Sequence, residues 1–82
     1  MWYIYILHCS DKSLYVGVTN NVKKRVAKHA LKKGSKYVAS RLPFKLVYTE
    51  KYQTKPQALK REAELKSRSH REKEDLVLNK RE

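Results

Sequence analysis

The chain has 82 residues, 20 of them lysine or arginine against 8 aspartate or glutamate, so its formal net charge is +12. This length favours a single domain with one core, and a hydrophobic content of 40% argues against disorder. No apolar run approaches the roughly 18 residues that a membrane span needs. The first twelve residues lack the basic region and cleavage site of a signal peptide.

The positive charge predicts a polyanionic partner. Nucleic acid is the first candidate and an anionic membrane surface the second. A basic surface like that of ribosome-associated proteins is the plain alternative, and charge alone does not distinguish cutting from holding. The single cysteine, Cys9, excludes an internal disulfide and favours a reducing cytoplasm. One cysteine and three scattered histidines do not form a recognisable zinc site.

Residues 2–9 are aromatic and β-branched and predict a central strand, and residues 14–19 predict a second strand that completes a hairpin. An odd loop over residues 10–12 pairs odd positions with odd positions. Tyr5 then lies directly opposite Gly17, which leaves space beside its hydroxyl, with Tyr15 on the diagonal.

An asparagine caps the next predicted element, a helix over residues 21–33, which Gly34 ends. Arg25 and His29 fall at one edge of its apolar face. Arg25 is either a solvated side chain or a bidentate phosphate ligand, and His29 is most simply a polar helix-edge residue. Three residues form the inward stripe: Val22, Val26 and Ala30.

A basic loop over residues 35–43 precedes a third strand at residues 44–52, in which apolar and polar residues alternate. A capping box then opens a helix over residues 56–68. Glu62 falls within the buried arc of that helix, where a carboxylate is costly unless it pairs with a cation or binds a metal. An ion pair with Arg25 or a lysine is therefore the alternative to a functional role. The buried arc contains Ala58, Leu59, Ala63 and Leu65.

A second capping box starts a short helix over residues 71–79. The predicted fold class is thus α+β (α/β), a three-stranded antiparallel sheet flanked by about three helices. We expect one domain over residues 1–80 and a frayed end at residues 81–82.

The order and spacing of these residues resemble the GIY-YIG nuclease superfamily. The triplet YIY at residues 3–5 is followed by YVG at residues 15–17, then by Arg25 ten residues after the second tyrosine, and by Glu62 in ALKRE. The whole chain has the element order of the family and is most similar to its small stand-alone bacterial branch. Two departures are that Tyr3 replaces the first glycine, and that a late Asn or Gln is not at its usual spacing.

The resemblance implies a metal-dependent endonuclease that hydrolyses phosphodiester bonds in DNA, with RNA as an alternative. Tyr5 would be the general base, assisted by Tyr15, and Arg25 would clamp the scissile phosphate. Glu62 would bind one divalent cation, Mg²⁺ or Mn²⁺, and His29 would act at the phosphate or as a proton relay. A role in DNA repair in the cytoplasm is the corresponding expectation.

No separate recognition domain is evident, so we expect structure-selective or weakly specific attack rather than sequence-specific cleavage. Five basic residues and one aromatic are candidate nucleic-acid contacts: Lys23, Lys24, Lys28, Lys36, Arg41 and Tyr37. Two alternatives are kept open. One is a non-catalytic nucleic-acid-binding module that retains the fold, and the other is a basic accessory protein of a repair or ribosomal complex.

Overall fold

A computed structural model describes residues 1–80. Its elements in chain order are β1 (Trp2–Cys9), β2 (Leu14–Thr19), α1 (Val22–Ala30), α2 (Lys36–Ala39), β3 (Phe44–Tyr52), α3 (Lys55–Ser67) and α4 (His70–Lys80). The strands form one antiparallel sheet in the order β2-β1-β3. The predicted α+β fold class is confirmed, while the predicted fraying of residues 81–82 lies outside the described residues.

Strand β1 is the centre of the molecule because both of its faces are covered. Ile4 and Ile6 point to one side and pack in a core with residues of α3 and α4, including Leu65. Tyr5 and Leu7 point to the other side, where α1 and α2 cover them. All four strand residues are at most 1% exposed, which explains why this run has no polar alternation.

The hairpin register agrees with the prediction from the odd loop. Tyr5 pairs with Gly17, and Leu7 pairs with Tyr15. Lys12 takes a left-handed conformation in the loop, with φ 70°. The two tyrosines and Gly17 therefore share the α1 face of the sheet.

Helix α1 is shorter than the sequence predicts. It ends at Ala30, and Lys32 takes the left-handed conformation expected of Gly34. The expectation that Ala30 points inward was wrong, because Ala30 is exposed and His29 is fully buried. At about 100° per residue, His29 falls between Arg25 and Val22 on the helical wheel, and Ala30 lies farther round.

The predicted basic loop contains a helix, α2, which the sequence did not reveal. Ser35 caps it by accepting a hydrogen bond from the backbone of Tyr37. Val38 is fully buried against the sheet. A four-residue helix with one buried apolar residue shows no periodicity, so the pattern could not indicate it.

Strand β3 carries a bulge that breaks the predicted alternation. Ile6 pairs with Tyr48, whereas Leu7 pairs with Leu46, so Val47 is the extra residue. Leu46 is consequently 43% exposed, while Val47 packs against the core with Tyr48.

Both capping boxes are present. The Thr54 and Gln57 side chains each bond the backbone of the other at the start of α3, and Ser69 and Glu72 do the same at the start of α4. The buried stripe of α3 differs from the prediction. Ala58 and Leu65 are buried, but Leu59 and Ala63 are exposed, so Arg61 and Glu62 flank the stripe instead.

Candidate active site

The hydroxyl of Tyr5 is enclosed between the sheet and α1. It lies 2.8 Å from Nε2 of His29 in a buried hydrogen bond, and Tyr5 is 1% exposed. Gly17 provides the room, since a Cβ atom at that position would overlap the Cζ atom and the hydroxyl of Tyr5. The hairpin register thus places the phenol of Tyr5 where only a glycine can face it.

The imidazole of His29 has one nitrogen unused. Nε2 bonds Tyr5, while Nδ1 is buried and has no hydrogen-bond partner within residues 1–80. Gly34 lies against it, because a Cβ there would come within 2.5 Å of Nδ1. An orphan polar atom in a core is costly, and it is a feature typical of functional sites.

Two further aromatic rings surround this pair. The Tyr15 ring centroid is 6.3 Å from that of Tyr5 and 5.5 Å from that of His29. Tyr37 stacks on Tyr15 at 5.8 Å. Tyr15 is only partly buried, so its hydroxyl is the more accessible of the two hairpin phenols.

The electrostatic setting keeps the pair neutral. Burial raises the pKa of the Tyr5 hydroxyl above its ordinary value, the neighbouring Tyr15 and Glu62 raise it further, and Arg25 lowers it. Burial also lowers the pKa of His29, and Arg25 adds to that effect. Arg25 and Glu62 thus have opposite effects on the pKa of this hydroxyl.

Arg25 and Glu62 approach from opposite faces of the sheet and line one cavity at the edge of β2. Arg25 comes from α1 and Glu62 from α3, and the cavity has a volume of about 310 Å³. The Glu62 side chain is 22% exposed, and its Oε2 lies 3.4 Å from Nζ of Lys66. An ion pair with a lysine, one of the alternatives for Glu62, is therefore present, and the carboxylate also faces the cavity.

The donor set near this cavity fits a weakly held divalent cation. Within residues 1–80 no three His, Cys, Asp or Glu side chains cluster as metal ligands. Mg²⁺, however, keeps several waters and is commonly bound by one or two carboxylates together with substrate phosphate. Glu62 supplies one such carboxylate.

The predicted nucleic-acid contacts divide into two groups. The lysines are exposed, and two of them line a shallow cavity beside Arg25. Arg41 is instead held by Asp11, Ser40 and the carbonyl oxygen of Tyr37, and its guanidinium lies 3.7 Å over the Tyr37 ring. The exposed lysines are Lys23, Lys24, Lys28 and Lys36.

The structure adds residues that the sequence reasoning missed. Trp2 and Lys55 line the same cavity as Arg25 and Glu62. They meet because antiparallel pairing places Trp2 opposite Tyr52, just before α3 begins. Trp2 and Lys55 are far apart in the chain, so no local sequence pattern indicates that they meet.

A second missed group joins β3 to α3. Glu50 accepts hydrogen bonds from the hydroxyls of Tyr48 and Tyr52 and from Nε and Nη2 of Arg61. Arg61 is partly buried and reaches β3 from the edge of the buried stripe of α3. The spacing Tyr48-x-Glu50-x-Tyr52 puts three polar groups on one strand face, a signal that could have revealed the cluster.

Comparison with known proteins agrees with this geometry. The GIY-YIG catalytic domain family model matches residues 1–75. A hairpin with two tyrosines on one face, an arginine on the first helix and a glutamate on a later one is the arrangement of a GIY-YIG domain. The chain belongs to the GIY-YIG family.

The relatives are small proteins of similar length. A UPF0213 protein of Natronomonas pharaonis is 48% identical over 75 residues, which is 92% of this chain and 88% of that protein. A UPF0213 protein of Staphylococcus haemolyticus is 44% identical and covers 92% of both chains. The solution NMR structure of a UPF0213 protein from Bacillus halodurans superposes with a TM-score of 0.64 at 47% identity, covering 98% of this chain and 86% of that one. No helix in the described part of the chain is long and apolar enough to cross a membrane.

Proposed function

We propose that the protein is a metal-dependent endonuclease that hydrolyses phosphodiester bonds in DNA. The observation that carries the proposal is that Arg25 and Glu62, one from each of two helices, face one cavity at the edge of β2. At one cavity, the positively charged Arg25 can bind a phosphate and the carboxylate of Glu62 can bind a metal ion. A surface that only binds phosphate gains nothing from the carboxylate.

Each side chain takes one role in this proposal. Arg25 donates paired hydrogen bonds to the scissile phosphate and offsets its developing charge. Tyr5 passes its phenolic proton to Nε2 of His29 as it accepts a proton from the attacking water. Tyr15, the more accessible phenol, hydrogen-bonds that water. The water oxygen forms a bond to phosphorus as the bond to the leaving oxygen breaks; the leaving oxygen then takes up a proton from solvent, and His29 releases one to solvent.

Arg25 favours loss of the phenolic proton, because its charge lowers the pKa of Tyr5. Glu62 would hold a divalent cation, whose Lewis acidity would stabilise the leaving oxygen. The guanidinium of Arg25 also lowers the pKa of His29. A substrate phosphate bound at Arg25 would counter this effect, so that the imidazole accepts a proton more readily.

The substrate is proposed from the net charge of +12. Exposed lysines on α1 and α2 follow a nucleic-acid backbone without reading sequence. Single strands, flaps or junctions are therefore the favoured DNA substrates, and a repair role in the reducing cytoplasm fits a chain whose one cysteine is buried and free.

A second candidate is a non-catalytic nucleic-acid-binding module. Two observations favour it: Tyr5 is 1% exposed, and Glu62 already pairs with Lys66. This candidate predicts salt-sensitive binding that does not depend on Glu62.

The test incubates purified protein with labelled single-stranded, flap and junction DNA in Mg²⁺ or Mn²⁺, with EDTA as the blank. Metal-dependent cutting that disappears in Glu62→Ala and in Tyr5→Phe supports the enzyme. Binding without cutting, unchanged by Glu62→Ala, supports the binding module. Labelled RNA of the same sequence tests the choice of DNA.

A further inference from the structure

One wall of the cavity that contains Arg25 and Glu62 is apolar and aromatic. Trp2, Val18 and Leu59 line it. Trp2 is only half-buried, and Leu59 is 44% exposed. The cavity thus combines the charge of Arg25 with an apolar surface.

We propose that Trp2 is a stacking platform for an unpaired nucleobase next to the phosphate held by Arg25. This inference deepens the proposed function and rests on it. A nucleotide carries an anionic phosphate and a flat apolar base, which are the two chemistries of the cavity walls. An indole stacks on any base, and such stacking is sequence-tolerant.

Lys55 is the second part of this platform. Its Nζ lies 5.0 Å from the centroid of the Trp2 ring, and the side chain is exposed. A cation over an exposed ring is held weakly. An arriving base therefore displaces the ammonium, which turns to the neighbouring phosphate.

A base inside a duplex is already stacked on both sides and does not reach a platform of this kind without being unpaired. The platform therefore selects single-stranded or flapped nucleic acid over duplex. This gives the domain a structural source of selectivity.

The chain offers a direct reporter, because Trp2 is its single tryptophan. We would titrate the wild-type protein in EDTA with a single-stranded oligonucleotide, with a hairpin duplex of equal length, and with an abasic single strand. Tryptophan fluorescence is excited at the long-wavelength edge of its absorption band, where tyrosine does not absorb. We expect strong quenching by the ordinary single strand and little by the abasic strand or the duplex. Equal quenching by ordinary and abasic strands, or no quenching, overturns the inference.

Variants separate the platform from general binding. By anisotropy of the labelled oligonucleotide, Trp2→Leu weakens single-strand binding about tenfold and Trp2→Tyr restores most of it, while duplex binding changes little. Lys55→Met keeps the quenching but lowers the slope of log K against log salt by about 0.7, the value of one phosphate contact on a single strand. Circular dichroism establishes that each variant is folded.

Tyr37→Leu is the matched control, since Tyr37 is the exposed aromatic on the other side of the sheet. Loss of single-strand binding in Tyr37→Leu but not in Trp2→Leu overturns the inference. Cleavage is scored in parallel, so the two proposals fail separately. Quenching of Trp2 without DNA cleavage supports the stacking platform and contradicts the proposed endonuclease. Cleavage without quenching supports the endonuclease and contradicts the platform.

Discussion

The hydroxyl of Tyr5 and Nε2 of His29 are 2.8 Å apart inside the core. In the proposed function this hydroxyl acts as the base, and the imidazole of His29 is hydrogen-bonded to it. The pair therefore couples the packing of the α1 face to the chemistry proposed for the site.

Removing one partner of this bond leaves the other unsatisfied in the core. We expect Tyr5→Phe and His29→Leu each to lower the free energy of unfolding by about 1–3 kcal/mol. The double variant loses less than the sum, with a coupling of about 1 kcal/mol. Urea unfolding of the four proteins measures this, and strict additivity would show that the bond contributes nothing.

Gly17 is required for space and not for backbone freedom, because the chain has no glycine with positive φ in residues 1–80. Gly17→Ala places a methyl group on the Tyr5 phenol. We expect a loss of about 1–3 kcal/mol from overpacking and loss of any cleavage. The same substitution in a Tyr5→Leu background costs less, since the overlapping ring atoms are gone. Equal costs in thermal unfolding of the two backgrounds contradict this explanation.

His29 predicts a pH dependence of stability. Its folded pKa is lowered by burial, so below about pH 6.5 the unfolded chain binds a proton that the folded protein does not. Stability from this group is therefore complete above pH 6.5 and falls as the pH drops toward the folded pKa. Chemical unfolding of wild type and His29→Gln from pH 7.5 to 5 measures the contribution of His29 to the free energy of unfolding. A difference between the two proteins that stays constant with pH refutes it.

The Glu50 and Arg61 pair fastens β3 to α3. The distance from Nε of Arg61 to Oε1 of Glu50 is 2.9 Å, and the two side chains are 21% and 15% exposed, respectively. Hydrogen bonds from Arg61 and from the two tyrosine hydroxyls lower the pKa of Glu50. We expect Glu50→Gln to cost about 2 kcal/mol, because the guanidinium loses its shielded partner. Glu64→Gln is the matched control. Its carboxylate is 49% exposed at 3.4 Å from the same arginine, so its loss costs about 0.5 kcal/mol or less. Equal costs would mean that the buried pair is no stronger than the surface one.

The fold was largely readable from local signals. The unbroken apolar run of β1 indicated a strand covered on both faces, and an odd loop set the register that faces Tyr5 with Gly17. Two capping boxes gave the starts of α3 and α4. The short helix α2 and the bulge at Val47 could not be predicted from the sequence, because they depend on how the chain packs against the sheet.

The site was predicted in part. Tyr5 and Tyr15 share the α1 face of the sheet, and Arg25 and Glu62 line one cavity that neither tyrosine lines. The roles of all four residues stay predictions. The burial of His29 was missed because its polarity suggested a helix edge, although the wheel placed it beside Val22. Trp2 could not be placed, because its neighbours come from α1, β2 and α3.

The most direct measurement of the central claim is the rate of metal-dependent cleavage by two variants that differ only in which member of one ion pair is removed. Glu62→Gln removes the carboxylate that faces the cavity, and Lys66→Met removes its partner 3.4 Å away. We expect cutting of flap or single-stranded DNA to disappear in Glu62→Gln and to persist in Lys66→Met. Equal cutting by both variants, or no cutting by the wild type in Mg²⁺ or Mn²⁺, contradicts the claim that Arg25 and Glu62 form a hydrolytic site.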